Sequence, residues 1–120
     1  MQSTTPNSKW RIALISNPLW LAEKLLPQLR QLGHEPVSWL RPKRPSNRPQ
    51  PCEADIAHCA ALNRVSLCMA CDVREVAPLL RKIEPDLVMC WGFPWKLPQE
   101  ALDVAPLGSI NQHPSRLPGG

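Results

Sequence analysis

The apolar residues of this chain switch between two spacings, and each switch marks an element. Trp10 to Ser16 (Trp-Arg-Ile-Ala-Leu-Ile-Ser) is a short apolar run closed by polar residues, which predicts a buried strand. Directly after it, Leu21, Leu25, Leu29 and Leu32 recur every three or four residues up to Gly33, the pattern of a helix with one apolar face and a glycine stop. Asn17 suits its cap and Pro18 its first position. Pro27 lies inside this pattern, where a regular helix loses roughly 3 kcal/mol, so a kink or restart is expected there. Glu35 to Leu40 predicts a second strand, and a proline-rich loop then runs to Pro51.

The second half repeats the alternation. Glu53 to Leu62 predicts a weakly amphipathic helix and Arg64 to Ala70 a short strand. Asp72 with Glu75 three residues later is a capping pattern, and Val73, Val76, Leu80 and Ile83 define the buried face of the helix it opens. Pro78 argues for irregularity in that helix, and Glu84-Pro85-Asp86 ends it, because a residue before proline avoids the helical region. Leu87-Val88-Met89-Cys90-Trp91 is continuously apolar, as in a parallel strand covered on both faces, and Gly92-Phe93-Pro94-Trp95 is its turn. Pro98 opens a short helix through Val104, and Gly108 to Gln112 is a further strand. Strands alternating with helices define an α/β protein with an open, mostly parallel twisted sheet and helices on both faces. The expected division is a flexible stretch over 1 to 9 and one domain over 10 to 120, with no repeat and no second domain.

Composition agrees with this picture and narrows it. A chain of 120 residues has room for one domain, which buries roughly two-thirds of the surface its unfolded form exposes. The 15 prolines exceed ordinary usage, so several must sit in loops. No stretch approaches the ~20 apolar residues of a membrane span, and the polar start, Met1 to Lys9, lacks the apolar core of a secretory signal, so a cytoplasmic location is expected. The net charge of +4 is concentrated between Arg41 and Pro49, read as a mobile basic loop that could meet phosphates on a nucleotide or an RNA. The five cysteines form an odd set that argues against a disulfide framework. Cys68 and Cys71 have the spacing of half a zinc site, but no second pair completes it, so no metal is expected. The turn Ser16-Asn17-Pro18-Leu19-Trp20 lacks the glycine fingerprint of a dinucleotide site, and there is no Walker loop.

Candidate chemistry lies near the C-terminus. Asn111 and His113 stand two apart where an apolar run gives way to Pro-Ser-Arg-Leu-Pro-Gly-Gly, and side chains at that spacing in an extended segment share a face. An amide that can donate to a developing oxyanion, beside an imidazole that can carry a proton, suits acyl or formyl transfer. The same pair also suits a plain strand end whose Asn and His satisfy local backbone groups.

Two blocks carry a resemblance: Pro85 to Pro98 (Pro-Asp-Leu-Val-Met-Cys-Trp-Gly-Phe-Pro-Trp-Lys-Leu-Pro) and Leu107 to Pro118 (Leu-Gly-Ser-Ile-Asn-Gln-His-Pro-Ser-Arg-Leu-Pro). Their order and spacing resemble the N-terminal domain of the formyltransferases that use 10-formyltetrahydrofolate, nearest the methionyl-tRNA formyltransferase branch. The resemblance implies a Rossmann-like formyltransferase fold, incomplete at its C-terminal end. It further implies that Asn111 donates to the oxyanion of the tetrahedral intermediate, that His113 assists by proton transfer, and that Ser115 fixes the loop. The strip Cys90, Trp91, Gly92, Phe93, Pro94, Trp95 and Leu97 would hold the pterin, although Trp91, Phe93 and Trp95 also suit plain core packing, Trp91 at least equally well. The implied partners are the folate co-substrate and an amine acceptor, in this branch initiator tRNA, with no membrane and no metal. Such enzymes carry an essential aspartate a few dozen residues beyond the His motif. The sequence ends at Gly120, so no residue here takes that role and a fragment is expected. The alternative is a non-catalytic module that keeps a folate-like crevice or a basic interaction surface.

Overall fold

The computed structural model describes residues 9–43 and 52–112. Five strands form one parallel sheet: β1 (Arg11–Ile15), β2 (Glu35–Pro42), β3 (Ser66–Ala70), β4 (Leu87–Trp91) and β5 (Ser109–Gln112). Their spatial order is β3-β2-β1-β4-β5, so the chain winds outward to one edge and returns past β1 to the other. The direction of winding reverses between β1 and β4, which opens a crevice above their carboxyl ends.

Strand alternation sends side chains to two cores. Ile12, Leu14, Trp39, Leu87 and Met89 pack under α1 (Leu19–Gln31) and α2 (Glu53–Leu62). Ala13, Ile15, Leu40, Val88 and Cys90 pack under α3 (Val76–Ile83) and α4 (Gln99–Leu102). The uninterrupted apolar runs of β1 and β4 follow from this double cover. The result is the Rossmann-like α/β architecture that the alternation of periods predicts.

Several local expectations change. Pro18 sits at the N-cap of α1 rather than at its first helical position, and Asn17 makes no capping bond, because its side chain serves Arg41 instead. The helix shows no restart at Pro27. Burial of Leu25, Leu26 and Leu29 on its inner face, each worth roughly 1.5–3 kcal/mol, outweighs the proline penalty. Gly33, at φ +93°, ends it as the sequence predicts, with the His34 N–H donating back to the Leu29 carbonyl at 3.0 Å.

β2 runs two residues further than the apolar pattern indicates, taking in Arg41 and Pro42, so Arg41 belongs to the sheet and not to a solvated loop. Residues 44–51 of the basic stretch lie outside the described residues. The pairing of β1 with β2 slips between Ile12↔Pro36 and Ala13↔Ser38, leaving Val37 as the extra residue beside a proline that has no N–H to pair. The α3 entry is a short 3₁₀ turn, Val73–Glu75, in which Asp72 accepts from the Arg74 N–H at 2.7 Å and Glu75 accepts from the Cys71 N–H at 2.7 Å. Pro78 then falls in the first turn of α3, where a missing N–H costs no hydrogen bond.

Candidate functional site

Two turns meet at the crevice. The first follows β1. Its Ser16 N–H donates to the Leu40 carbonyl at 3.0 Å, and the Ser16 carbonyl accepts from the buried Trp39 indole at 2.9 Å. Arg41 donates from Nε to the Asn17 carbonyl and from Nη2 to the Asn17 side-chain oxygen, both at 3.1 Å. The Asn17 N–H in turn donates to the Gly92 carbonyl in the second turn, at 3.0 Å. Gly92 has φ +66°, and a Cβ there would meet Pro18 Cδ at 3.1 Å, so the approach of the two turns requires glycine.

The strip after Gly92 forms one wall. Phe93 and Trp95 pack edge to face with ring centroids 5.3 Å apart, half-buried against the α3 and α4 core, and Leu97 is fully inside it. Pro94 is exposed. Residues 93–97 make no backbone hydrogen bond among the described residues. Trp91 packs half-buried against the core under α1 and α2, and its indole N–H is buried without a partner among the described residues. Cys90 is buried, and desolvation pushes its thiol up to about 12. It is therefore an apolar wall and not a nucleophile.

β5 lies alongside β4, the strand that leads into this strip. Cys90 pairs with Asn111 and Trp91 with Gln112 in parallel register, so the Asn111 backbone is one strand away from the start of the wall. Asn111 is exposed. His113 and Ser115 lie outside the described residues. The structure thus places Asn111 beside Cys90 in the sheet. Sequence reasoning missed Ser16, Asn17, Trp39 and Arg41 as builders of the crevice. Their signal was faint: a polar pair closing an apolar run, and an arginine that reads as the first residue of a basic loop.

Among the described residues no group of three or more His, Cys, Asp or Glu side chains could hold a metal ion, and no helix is long and apolar enough to cross a membrane. Cys68 lies on the edge strand β3 with its thiol pushed up by burial, while Cys71 is exposed beyond the strand end.

The fold is that of a doubly wound α/β protein whose strand order reverses between β1 and β4. No family model matches the chain. It is similar to the methionyl-tRNA formyltransferase of Thermus thermophilus, at 32% identity over 111 residues, 90% of this chain and 36% of that protein. It is 28% identical over 112 residues to the methionyl-tRNA formyltransferase of Trichlorobacter lovleyi, covering 91% of this chain and 35% of the relative. A shorter stretch of 40 residues, 33% of this chain and 13% of the relative, is 52% identical to the methionyl-tRNA formyltransferase of Syntrophus aciditrophicus. The chain therefore spans about a third of the length of the curated relatives it matches over most of its own length. These similarities support the formyltransferase family.

Proposed function

We propose that this chain is the donor-binding part of a formyltransferase that moves a formyl group from 10-formyltetrahydrofolate to an amine, in the methionyl-tRNA branch. The observation that carries the reading is the register Cys90↔Asn111, which sets an exposed asparagine one strand away from the residue where the strip begins, at the carboxyl end of the sheet. The residues present fit a pterin. The peptide groups of residues 93–97, which make no backbone hydrogen bond among the described residues, offer donors and acceptors to a heterocycle edge, and Trp91, Phe93 and Trp95 supply apolar surface. The folate supplies the activated formyl carbon.

The chain's own residues do the rest. A neutral amine attacks the formyl carbon, its carbonyl oxygen becomes an oxyanion, and the amine nitrogen must shed a proton as the folate nitrogen departs. Asn111 donates to the oxyanion, an interaction typically worth about 3 kcal/mol of barrier. His113 moves the proton, which contributes roughly 100-fold or more. Ser115 steadies the loop that carries the imidazole. The acceptor in this reading is initiator tRNA charged with methionine, and the enzyme works in the cytoplasm. Residues 10–120 are then one part of a larger catalytic domain whose proton-handling acid lies elsewhere in the protein.

The test is formyl transfer from 10-formyltetrahydrofolate to methionyl-tRNA by the full-length protein and by its Asn111→Ala and His113→Ala variants. Loss of rate in both supports the assignment, and rates equal to the parent's overturn it. Protection of the amides of residues 90–97 on folate titration tests the donor site separately.

A further inference from the structure

Among the described residues β3 is a bare edge of the sheet. It is bonded to β2 alone, and over Ser66–Ala70 it carries no charge and no proline, the devices that usually keep an edge strand from pairing. The Ala70 carbonyl accepts from the Lys43 N–H at 2.8 Å, so by alternation the peptide groups of Ala70, Cys68 and Ser66 point to β2. Those of Leu67 and Met69 therefore point away from the sheet, and they make no backbone hydrogen bond to a loop among the described residues. Both side chains are also exposed, Leu67 at 37% and Met69 at 41%. One step further on, the outward N–H of Cys71 is closed by the Glu75 carboxylate at 2.7 Å, which confines the opening to Leu67 and Met69.

This opening is complementary to itself. When two copies of the strand lie antiparallel about a two-fold axis at Cys68, Leu67 of each stands opposite Met69 of the other, and each such pair can exchange both of its N–H···O bonds. The same register sets Arg64 of one copy opposite Asp72 of the other, so opposite charges meet at both ends of the contact. A recess of about 530 Å³, lined by Met69, Asp72, Arg74, Glu75, Pro78 and Leu79, lies beside the strand end and gives room to the side chain that comes opposite Met69.

We propose that the β3 edge is the pairing surface for a second copy of this chain, the two sheets joining antiparallel through Leu67 and Met69 with Cys68 meeting Cys68 on the axis. β3 and β5 are opposite edges of the sheet, so the pairing leaves the Asn111 strand uncovered. Nothing in it depends on formyl transfer. The two Cys68 residues form a pair without hydrogen bonds between them, whose α-carbons stand about 4.5 Å apart, within the reach of a disulfide, so Cys68 reports the register.

The experiment is sedimentation equilibrium of the full-length protein in reducing buffer, where the parent should dimerise with rising concentration. Leu67→Lys with Met69→Lys, and Leu67→Glu with Met69→Glu, each set like charges opposite one another and should weaken self-association about tenfold or more. Both positions are exposed, so these substitutions remove no core packing. An equal mixture of the two variants should dimerise again, because lysine then stands opposite glutamate. In a Cys52→Ser, Cys71→Ser background, which removes the exposed thiols of the described residues, added diamide should join Cys68 to Cys68. Each thiol gives up one hydrogen to the diamide, and peptide mass mapping identifies the link. A parent that stays monomeric, variants that dimerise as the parent does, a mixture that stays monomeric, or the absence of a Cys68 link overturns the pairing.

Discussion

The backbone N–H of Asn17 donates to the carbonyl of Gly92 at 3.0 Å, and the Gly92 α-carbon faces the ring of Pro18 so closely that an added Cβ would lie 3.1 Å from Cδ. The turns after β1 and β4 are thereby closed on one another, and the wall from residue 93 onward starts from a fixed point. Gly92→Ala has two costs, the left-handed φ of +66° and a Cβ 3.1 Å from Pro18 Cδ. The expected loss is about 1–3 kcal/mol in urea unfolding. Pro18→Ala in the same chain should recover part of it by removing the clash, while the backbone cost stays. No recovery would show that the two turns are not in contact.

The sheet was legible because its central strands are covered on both faces and so read as unbroken apolar runs. Leu87 to Trp91 and the helix Glu53 to Leu62 fall where the pattern puts them. What was not legible depends on contacts distant in sequence. Arg41 looks like the start of a basic loop until Asn17, 24 residues earlier, supplies two oxygens for its guanidinium. Pro27 looks like a break until the inner face of α1 is packed. In the site, the motif around Asn111 could be read locally, but its neighbour Cys90 is supplied by another strand, and only the sheet register brings them side by side.

Glu84 closes α3 in the left-handed conformation, at φ 56°, which L side chains adopt at a cost. Its carbonyl accepts from Arg11 Nε at 3.1 Å, and Arg11 Nη2 reaches the Ile83 carbonyl at 2.6 Å, so strand β1 holds the helix end by its backbone and not through the Glu84 side chain. Glu84→Gly should therefore keep these bonds, relieve the strain and stabilise the fold by up to about 1 kcal/mol. The check is the urea midpoint at unchanged slope. A fall in midpoint would mean that the glutamate side chain contributes something the backbone bonds do not.

The thiols divide by burial. Cys52 and Cys71 are exposed and should react first with a disulfide reagent in the native state, while Cys59 and Cys90 are buried and should react only on unfolding. Burial raises the Cys90 thiol from 9.0 to about 12, so the folded state keeps a proton that the unfolded state gives up. The stability this group contributes is complete below pH 9 and declines as pH rises from there towards 12. Cys90→Ala should flatten that part of the stability profile relative to the parent, as read from unfolding midpoints between neutral and alkaline pH. Parallel profiles for the two chains would show that Cys90 titrates alike in both states.

Asn111 separates stability from chemistry. Its side chain is exposed at the end of the edge strand β5, so Asn111→Ala removes no packing and should leave the unfolding free energy within about 0.5 kcal/mol of the parent. The same substitution should lower formyl transfer by the full-length protein roughly 100-fold or more if the carboxamide donates to the oxyanion. Because the interaction exists only once charge develops on the formyl oxygen, the loss should fall on kcat, with the KM for the folate nearly unchanged. A variant that loses folate affinity while keeping kcat would make Asn111 a binding contact, and one that loses stability in proportion to rate would make it a structural residue of the strand end.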